Sequence, residues 1–243
     1  MDAIMVRLLA SGDTALVIEF GETIDREINR RVLALADRVW DAKIPGVIET
    51  VPTFRSLMVH YDPTKLLFNE IKALVEAMLP TLTVRHRTSR QWTLPTCYGG
   101  ELGPDLEHVA RATGLSEEAV IARHSSVAYH VYCIGFLPGY PYMGDLDPAL
   151  ELPRRETPRL KVPMGSVCIA QRMTGIYSLE SPGGWHLLGR TPVRMFDVRR
   201  ERAVLLAPGD SVRFAPIPRE EYDRLAALAD SGRLDLHSTE LQS

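Results

Sequence analysis

"VAYHVYCIGFLPGYPYMGDL", residues 127–146, decides how the second half of the chain is read. A strand-like apolar run ends at Ile134. Gly135, Pro138, Gly139, Pro141 and Gly144 then follow at almost every second or third position, with Phe136, Tyr140 and Tyr142 between them. Prolines restrict a backbone and glycines let another group come close. The stretch is therefore either a rigid corner with its rings packed inward or a wall for a ligand or a second chain. Further along, "SVCIA", "GIYSL", "GWHLLGR", "AVLLA" and "SVRFAPI" are again short apolar runs cut by Gly and Pro. Short strands with frequent turns predict a closed or nearly closed β-barrel. "APGD" is a turn into the last strand, a helix starts near Pro218 and takes in Tyr222, Leu225 and Leu228, and the tail "HSTELQS" is expected to fray.

Working back towards the N-terminus, two short helices are expected near Leu106–Thr113 and Glu117–Ser125, the second capped by Ser116. The polar "RTSRQ" at 87–91 separates this part from an α+β unit. In that unit "IMVRLL" and "TALVIEF" read as strands joined at Ser11-Gly12-Asp13. Ile24, Ile28, Val32, Leu35 and Val39 recur at helical spacing. "VIETV" and "SLMVHY" are strands again, Leu67, Ile71, Leu74 and Met78 mark a second helix face, and "LTVRH" is a fifth strand. The expected order is ββαββαβ over residues 1–87, followed by a mainly-β domain over 92–243.

The 243 residues suffice for two such domains. A formal net charge of −3 gives no basic footprint for nucleic acid. No apolar run approaches the roughly 20 residues of a membrane helix. Three cysteines without a CxxC pair read as reduced thiols, and the N-terminus does not read as a signal peptide, so a cytoplasmic protein is expected.

Phosphate-loop, dinucleotide, nucleophile-elbow and HExxH signatures are absent, and no metal site is expected. What remains is a set of constrained loops. "PRRETPRLKVPMGS" carries Arg154, Arg155, Arg159 and Lys161 on a proline-stiffened stretch; such forks grip carboxylates or phosphates, or pair with surface acids such as Glu151 and Glu156. "TGIYSLESPGGWHLLGRTP" offers Gly183 and Gly184, whose N–H groups can face an anion as a nest does, with Trp185 as a flat wall and Arg190 as a donor. The alternative is a hairpin with a core tryptophan. His130, in mid-strand, is either a satisfied barrel residue or a general acid/base.

In this order, "YHVYCIGFLPGYPYMGDLDPAL", "PRRETPRLKVPMGSVCIA", "TGIYSLESPGGWHLLGRTP" and "LLAPGDSVRF" resemble the signatures of the 5-oxoprolinase B-subunit family (PxpB), also called KipI-type kinase inhibitor and allophanate hydrolase subunit 1. "GDTALVIEFG" and "VPTFRSLMVHYDP" match as well. Tyr140, Met143, Asp145 and Met164 depart from the pattern, which has phenylalanine, leucine, glycine and alanine there, and "QRM" at 171–173 replaces a more glycine-rich turn. The resemblance implies a cyclophilin-like barrel after the α+β unit, and a cleft completed by a related C-type (KipA-like) subunit. With a third, A-type lactam-utilisation subunit, the complex would open 5-oxoproline to glutamate using ATP, with Mg2+ implied, and the chain alone would be inactive. On that basis Arg154, Arg155 and Arg159 are assigned to phosphate or carboxylate, with Arg159 catalytic. Gly183 and Gly184 are donors, Tyr142 and Trp185 walls, and His130 the acid/base group. The alternatives are inhibition of a sensor histidine kinase, and half of a biotin-dependent carboxyltransferase acting on urea or a similar amide.

Overall fold

The computed structural model describes residues 6–84, 89–235 and 238–241. The chain divides into two compact units, Met1–Arg87 and Thr88–Ser243.

In the first unit, β1 (Val6–Ser11), β2 (Ala15–Phe20), β3 (Val47–Pro52) and β4 (Ser56–Tyr61) form an antiparallel sheet in the order β1-β2-β4-β3. Period-2 alternation sends Leu16, Ile18 and Phe20 to the same face as Leu57, Val59 and Tyr61. Two helices cover that face, α1 (Arg26–Asp41) and α2 (Phe68–Met78). Asp25 starts α1 by accepting the N–H groups of Glu27 and Ile28 at 2.8 and 3.1 Å. Ile28, Val32, Leu35 and Val39 are buried as their spacing predicts, whereas Ile24 precedes the helix and is exposed. The α2 face is displaced from expectation. Leu67 is the cap residue and, like Leu74, is exposed, while Ile71 and Val75 carry the burial. The fifth strand is not formed over its described part, since Leu82–Val84 lack strand pairing; Arg85 and His86 lie outside the described residues.

The second unit is a mainly-β barrel. Its strands are β5 (Ser89–Tyr98), β6 (Tyr129–Ile134), β7 (Pro141–Met143), β8 (Arg159–Val162), β9 (Ser166–Ala170), β10 (Met173–Ile176), β11 (Ser181–Gly183), β12 (His186–Arg190), β13 (Ser211–Pro216) and β14 (Ser238–Leu241). The sheet runs β12-β9-β10-β7-β6-β13-β5, and pairing of β12 with β5 closes the ring. β13 and β5 are parallel; the other barrel pairings are antiparallel. β14 lies against the first half of β5, so part of the tail expected to fray is a paired strand. β8 and β11 form a separate two-stranded ribbon. The helices are α3 (Leu106–Thr113), α4 (Glu117–Ser126) and α5 (Arg219–Asp230). Ser116 caps α4 as expected, accepting Ala119 N–H at 3.2 Å.

Every residue of β9 is buried, because the strand is covered on both faces. Val167 and Ile169 join the barrel core with Leu94, Val131, Leu188, Val212 and Phe214. Cys168 and Ala170 face a second cluster of Tyr140, Val162, Tyr177, Trp185 and Leu187. Within the barrel core a polar chain fixes one proton. Thr174 Oγ1 donates to Cys168 O at 2.9 Å, so it accepts from His124 Nε2–H, also at 2.9 Å. His124 Nδ1 then accepts from the Tyr98 hydroxyl at 2.8 Å.

Two departures from the family pattern have a backbone signature. Asp145 and Gln171 stand where the pattern puts glycine or a glycine-rich turn, and their φ angles are +70° and +54°. A side chain in the left-handed region costs about 1–2 kcal/mol, which glycine avoids. Gln171→Gly is expected to raise the urea midpoint, by about 0.5–1 kcal/mol net of the entropy glycine adds to the unfolded chain. Burial pushes the His124 imidazole down to about 3. Its unfolded counterpart takes a proton near pH 6.5 while the folded one does not, so stability is complete above pH 6.5 and falls as acid is added. The slope from this group is about 1.4 kcal/mol per pH unit. His124→Gln, which keeps one donor and one acceptor, is expected to remove that slope from urea midpoints measured between pH 7 and 5.

Candidate functional site

Asp105 precedes the first turn of α3 and is 3% exposed. Its carboxylate accepts four hydrogen bonds. Arg159 supplies two in a fork at 2.7 and 2.8 Å, Arg155 one at 2.8 Å, and the Leu187 N–H one at 2.8 Å. Asp105 N–H in turn donates to Leu187 O at 3.0 Å. Burial works against the charged carboxylate, but the Arg159 and Leu187 hydrogen bonds and the charges of both arginines outweigh it. The group is held below the usual carboxylate range.

Arg155 is tied down a second time, its N–H donating to Gly184 O at 2.8 Å. Arg154, next in the chain, takes a different course. Its guanidinium carbon lies 5.9 Å from the centroid of the Trp185 ring. The strap 153–159 thus gathers all three arginines on the segment Gly184–Leu187. Two share one buried acid and the third rests on an aromatic face. Trp185 is only 5% exposed, so it packs as the core tryptophan of the second cluster rather than as an open wall, edge-on to Tyr140 and Tyr142 at 6.2 and 6.0 Å. Burial raises the Tyr142 hydroxyl, and the nearby Arg154 charge opposes that rise.

His186 belongs to the same place. Its Nε2 donates to Pro153 O at 2.9 Å, and its ring stacks on His108 at 5.3 Å. Nδ1 is buried without a partner among the described residues. Burial pushes this imidazole below its usual range, with the Pro153 bond and the Asp105 charge opposing.

The remaining expected site residues lie differently. Gly183 and Gly184 do not form a nest, since neither has the positive φ such a turn uses. Gly183 pairs with Arg159 across the β8–β11 ribbon, and a Cβ there would collide with the Tyr177 hydroxyl. Close packing is what requires glycine at that position. Arg190 ends β12, in register with Ser166 and Cys97 and in contact with Tyr222 of α5. It is four strand residues from His186, about 13 Å along the chain. His130 lies on β6, which is not adjacent to β12, with its ring edge-on to Tyr132 at 4.7 Å. Lys161 reaches Glu180 at 3.4 Å on the surface. Of the rings in the 133–146 loop, Tyr140 is buried in the second cluster and Tyr142 is half-buried. Phe136, at φ +65°, is 63% exposed. Asp105, His108 and His186 are site residues that the sequence pattern does not single out. Among the described residues no group of three His, Cys, Asp or Glu side chains converges to hold a metal ion.

Replacing Asp105 with Ala leaves two guanidinium groups without their counter-charge and one buried N–H without an acceptor. The expected loss is about 2–4 kcal/mol in urea unfolding. Arg159→Met is expected to cost less, because Asp105 keeps Arg155 and Leu187. Equal losses would show that the carboxylate is not the hub.

Comparison with known proteins agrees with this architecture. The family model described as "Carboxyltransferase domain, subdomain C and D" matches residues 6–206. The B subunit of 5-oxoprolinase from Bacillus subtilis (strain 168) is 39% identical over 222 residues, covering 87% of this chain and 92% of that protein. Its counterpart from Escherichia coli O157:H7 is 42% identical over 212 residues, covering 84% and 93%. The solved K. lactis urea amidolyase superposes over 97% of this chain and 16% of its own length with a TM-score of 0.84; at 22% identity this speaks to the fold alone. The chain belongs to the 5-oxoprolinase B-subunit family, and most of its length is a carboxyltransferase domain of subdomains C and D.

Proposed function

We propose that this chain is the B-type subunit of an ATP-dependent 5-oxoprolinase. In that reading it works with a related, KipA-like subunit and a third, lactam-utilisation subunit, and is inactive alone. The observation that carries the reading is 39–42% identity, across nearly the whole length, to proteins of that name.

A lactam is a resonance-stabilised amide, so opening it needs activation, and phosphorylation of its oxygen makes a far better electrophile. Charge then develops on oxygen, where positioned cations help. The strap supplies them. Arg155 and Arg159 outweigh Asp105 by one positive charge, and Arg154 adds another. Arg159 commits its fork to Asp105, which makes it a positioning residue that fixes the strap, with Arg155 the nearer to a developing anion. The half-buried Tyr142 walls the site, and the buried Trp185 backs it. His186 is the imidazole beside the arginines, and it replaces His130 as the acid/base group. A magnesium nucleotide fits this donor set poorly. Its metal needs free oxygen ligands, and the buried carboxylate is already saturated by arginine. Nucleotide binding is therefore given to one of the partners, and this chain's share is to hold and orient the lactam.

A second reading, half of a carboxyltransferase for urea or a similar amide, draws support from the family description. The test is co-expression with candidate partner subunits and measurement of ATP hydrolysis dependent on 5-oxoproline or on urea. Arg159→Met is expected to lower 5-oxoproline turnover at least about tenfold, the worth of one charge-assisted contact, while circular dichroism shows a folded chain. Full activity in that variant refutes the assignment of the strap.

A further inference from the structure

We propose that Arg154, seated on the face of Trp185, is the anchor for the carboxylate of a small ring acid, so that this site selects an anionic lactam over a neutral amide. The inference rests on the lactam-opening reading and assigns its specificity to one residue.

The three strap arginines differ in what they have left to offer. Arg155 and Arg159 already donate to Asp105. Arg154 has no acidic partner among the described residues; Glu151 goes to Arg172 at 3.8 Å. Arg154 is exposed, yet its position is fixed by what adjoins it. Its neighbour Arg155 is fixed through both backbone and guanidinium, and the Trp185 ring supports its own head. A guanidinium that lies over a ring and has no acidic partner keeps N–H groups available, and their fork matches a carboxylate in bidentate fashion. Its surroundings suit the rest of such a ligand. Tyr142, half-buried and packed edge-on against the buried Trp185, presents ring surface beside it, and its hydroxyl lies within the field of the Arg154 charge. Urea and other neutral amides bring no negative charge to this edge. A five-membered lactam with its carboxylate intact brings both the charge and a small flat body.

Isothermal titration of the wild-type chain, alone and in complex with its partner subunits, tests this. The probes are 5-oxoproline, 2-pyrrolidinone (the same ring without the carboxylate) and urea. The expected result is clear preference for 5-oxoproline. Arg154→Met weakens that binding by about ten- to a hundredfold, the worth of a charged hydrogen bond, and leaves 2-pyrrolidinone unchanged. Arg154→Lys recovers part of the loss, because the charge returns without the fork. Unaltered 5-oxoproline affinity in Arg154→Met overturns the proposal. So does wild-type affinity for 2-pyrrolidinone equal to that for 5-oxoproline, or a wild-type complex that binds neither. Turnover separates the two levels. Binding through Arg154 without ATP-dependent opening leaves the anchor standing and removes the enzymatic reading. Turnover with an unchanged KM in Arg154→Met does the reverse.

Discussion

A carboxylate taken out of water has to be met by donors, and Asp105 is met on every side. Removing an ion from water costs several kcal/mol after relaxation, so a buried acid persists only where hydrogen bonds and opposite charge replace its hydration. Asp105, at its own helix start, recruits them from two separate stretches: the beginning of β12 through Leu187, and the strap through Arg155 and Arg159. One side chain thereby fixes where the strap crosses the barrel wall, and every other cation of the site takes its position from that crossing.

The floor beneath the strap is held by a different force. β9 shares its residues between the barrel interior and the aromatic cluster, alternating along the strand. Closure of the ring therefore also positions Trp185 and Tyr140. The glycines of the region serve this packing. Gly175 lies against the Tyr140 ring and Gly183 against the Tyr177 hydroxyl, and neither leaves room for a Cβ. The opening loop follows the same division. Its glycines and prolines fold Tyr140 inward, as the rigid-corner alternative has it, while Phe136 is turned out to solvent through a left-handed backbone.

The barrel is legible in the sequence because short apolar runs bounded by turn residues are local signals: "SVRFAP" alternates between buried and open positions, and "SVCIA", covered on both faces, is a continuous apolar run. The α2 face is misread by one position, because Leu67 looks like a core residue until its role as cap is known. β14 is hidden, since a polar tail becomes a strand only when a long neighbour such as β5 has a free edge to offer. The arginine group is legible as a cluster, and its relation to Trp185 is expected. Asp105 is not, being 50 and 54 residues from the arginines it binds. In "GPDL" it reads as an ordinary helix start, and nothing local announces that β12 returns to it. His186 is hidden for the same reason, whereas His130 draws notice only through its place in an apolar strand.

The barrel interior and the carboxylate hub respond differently to acid. His124, neutral in the core, loses ground against its unfolded counterpart as soon as pH falls below 6.5, and goes on losing it towards its own value of about 3. Asp105 behaves in the opposite order. Its folded carboxyl is held below the usual carboxylate range, so its contribution is complete above that range and is lost only as the pH falls through it. Acid therefore acts on the barrel interior before it acts on the carboxylate that latches the strap. Over the range in which histidines titrate, the Asp105 carboxylate therefore keeps its charge and its hold on Arg155 and Arg159, because it is buried, saturated with donors and held below the usual carboxylate range.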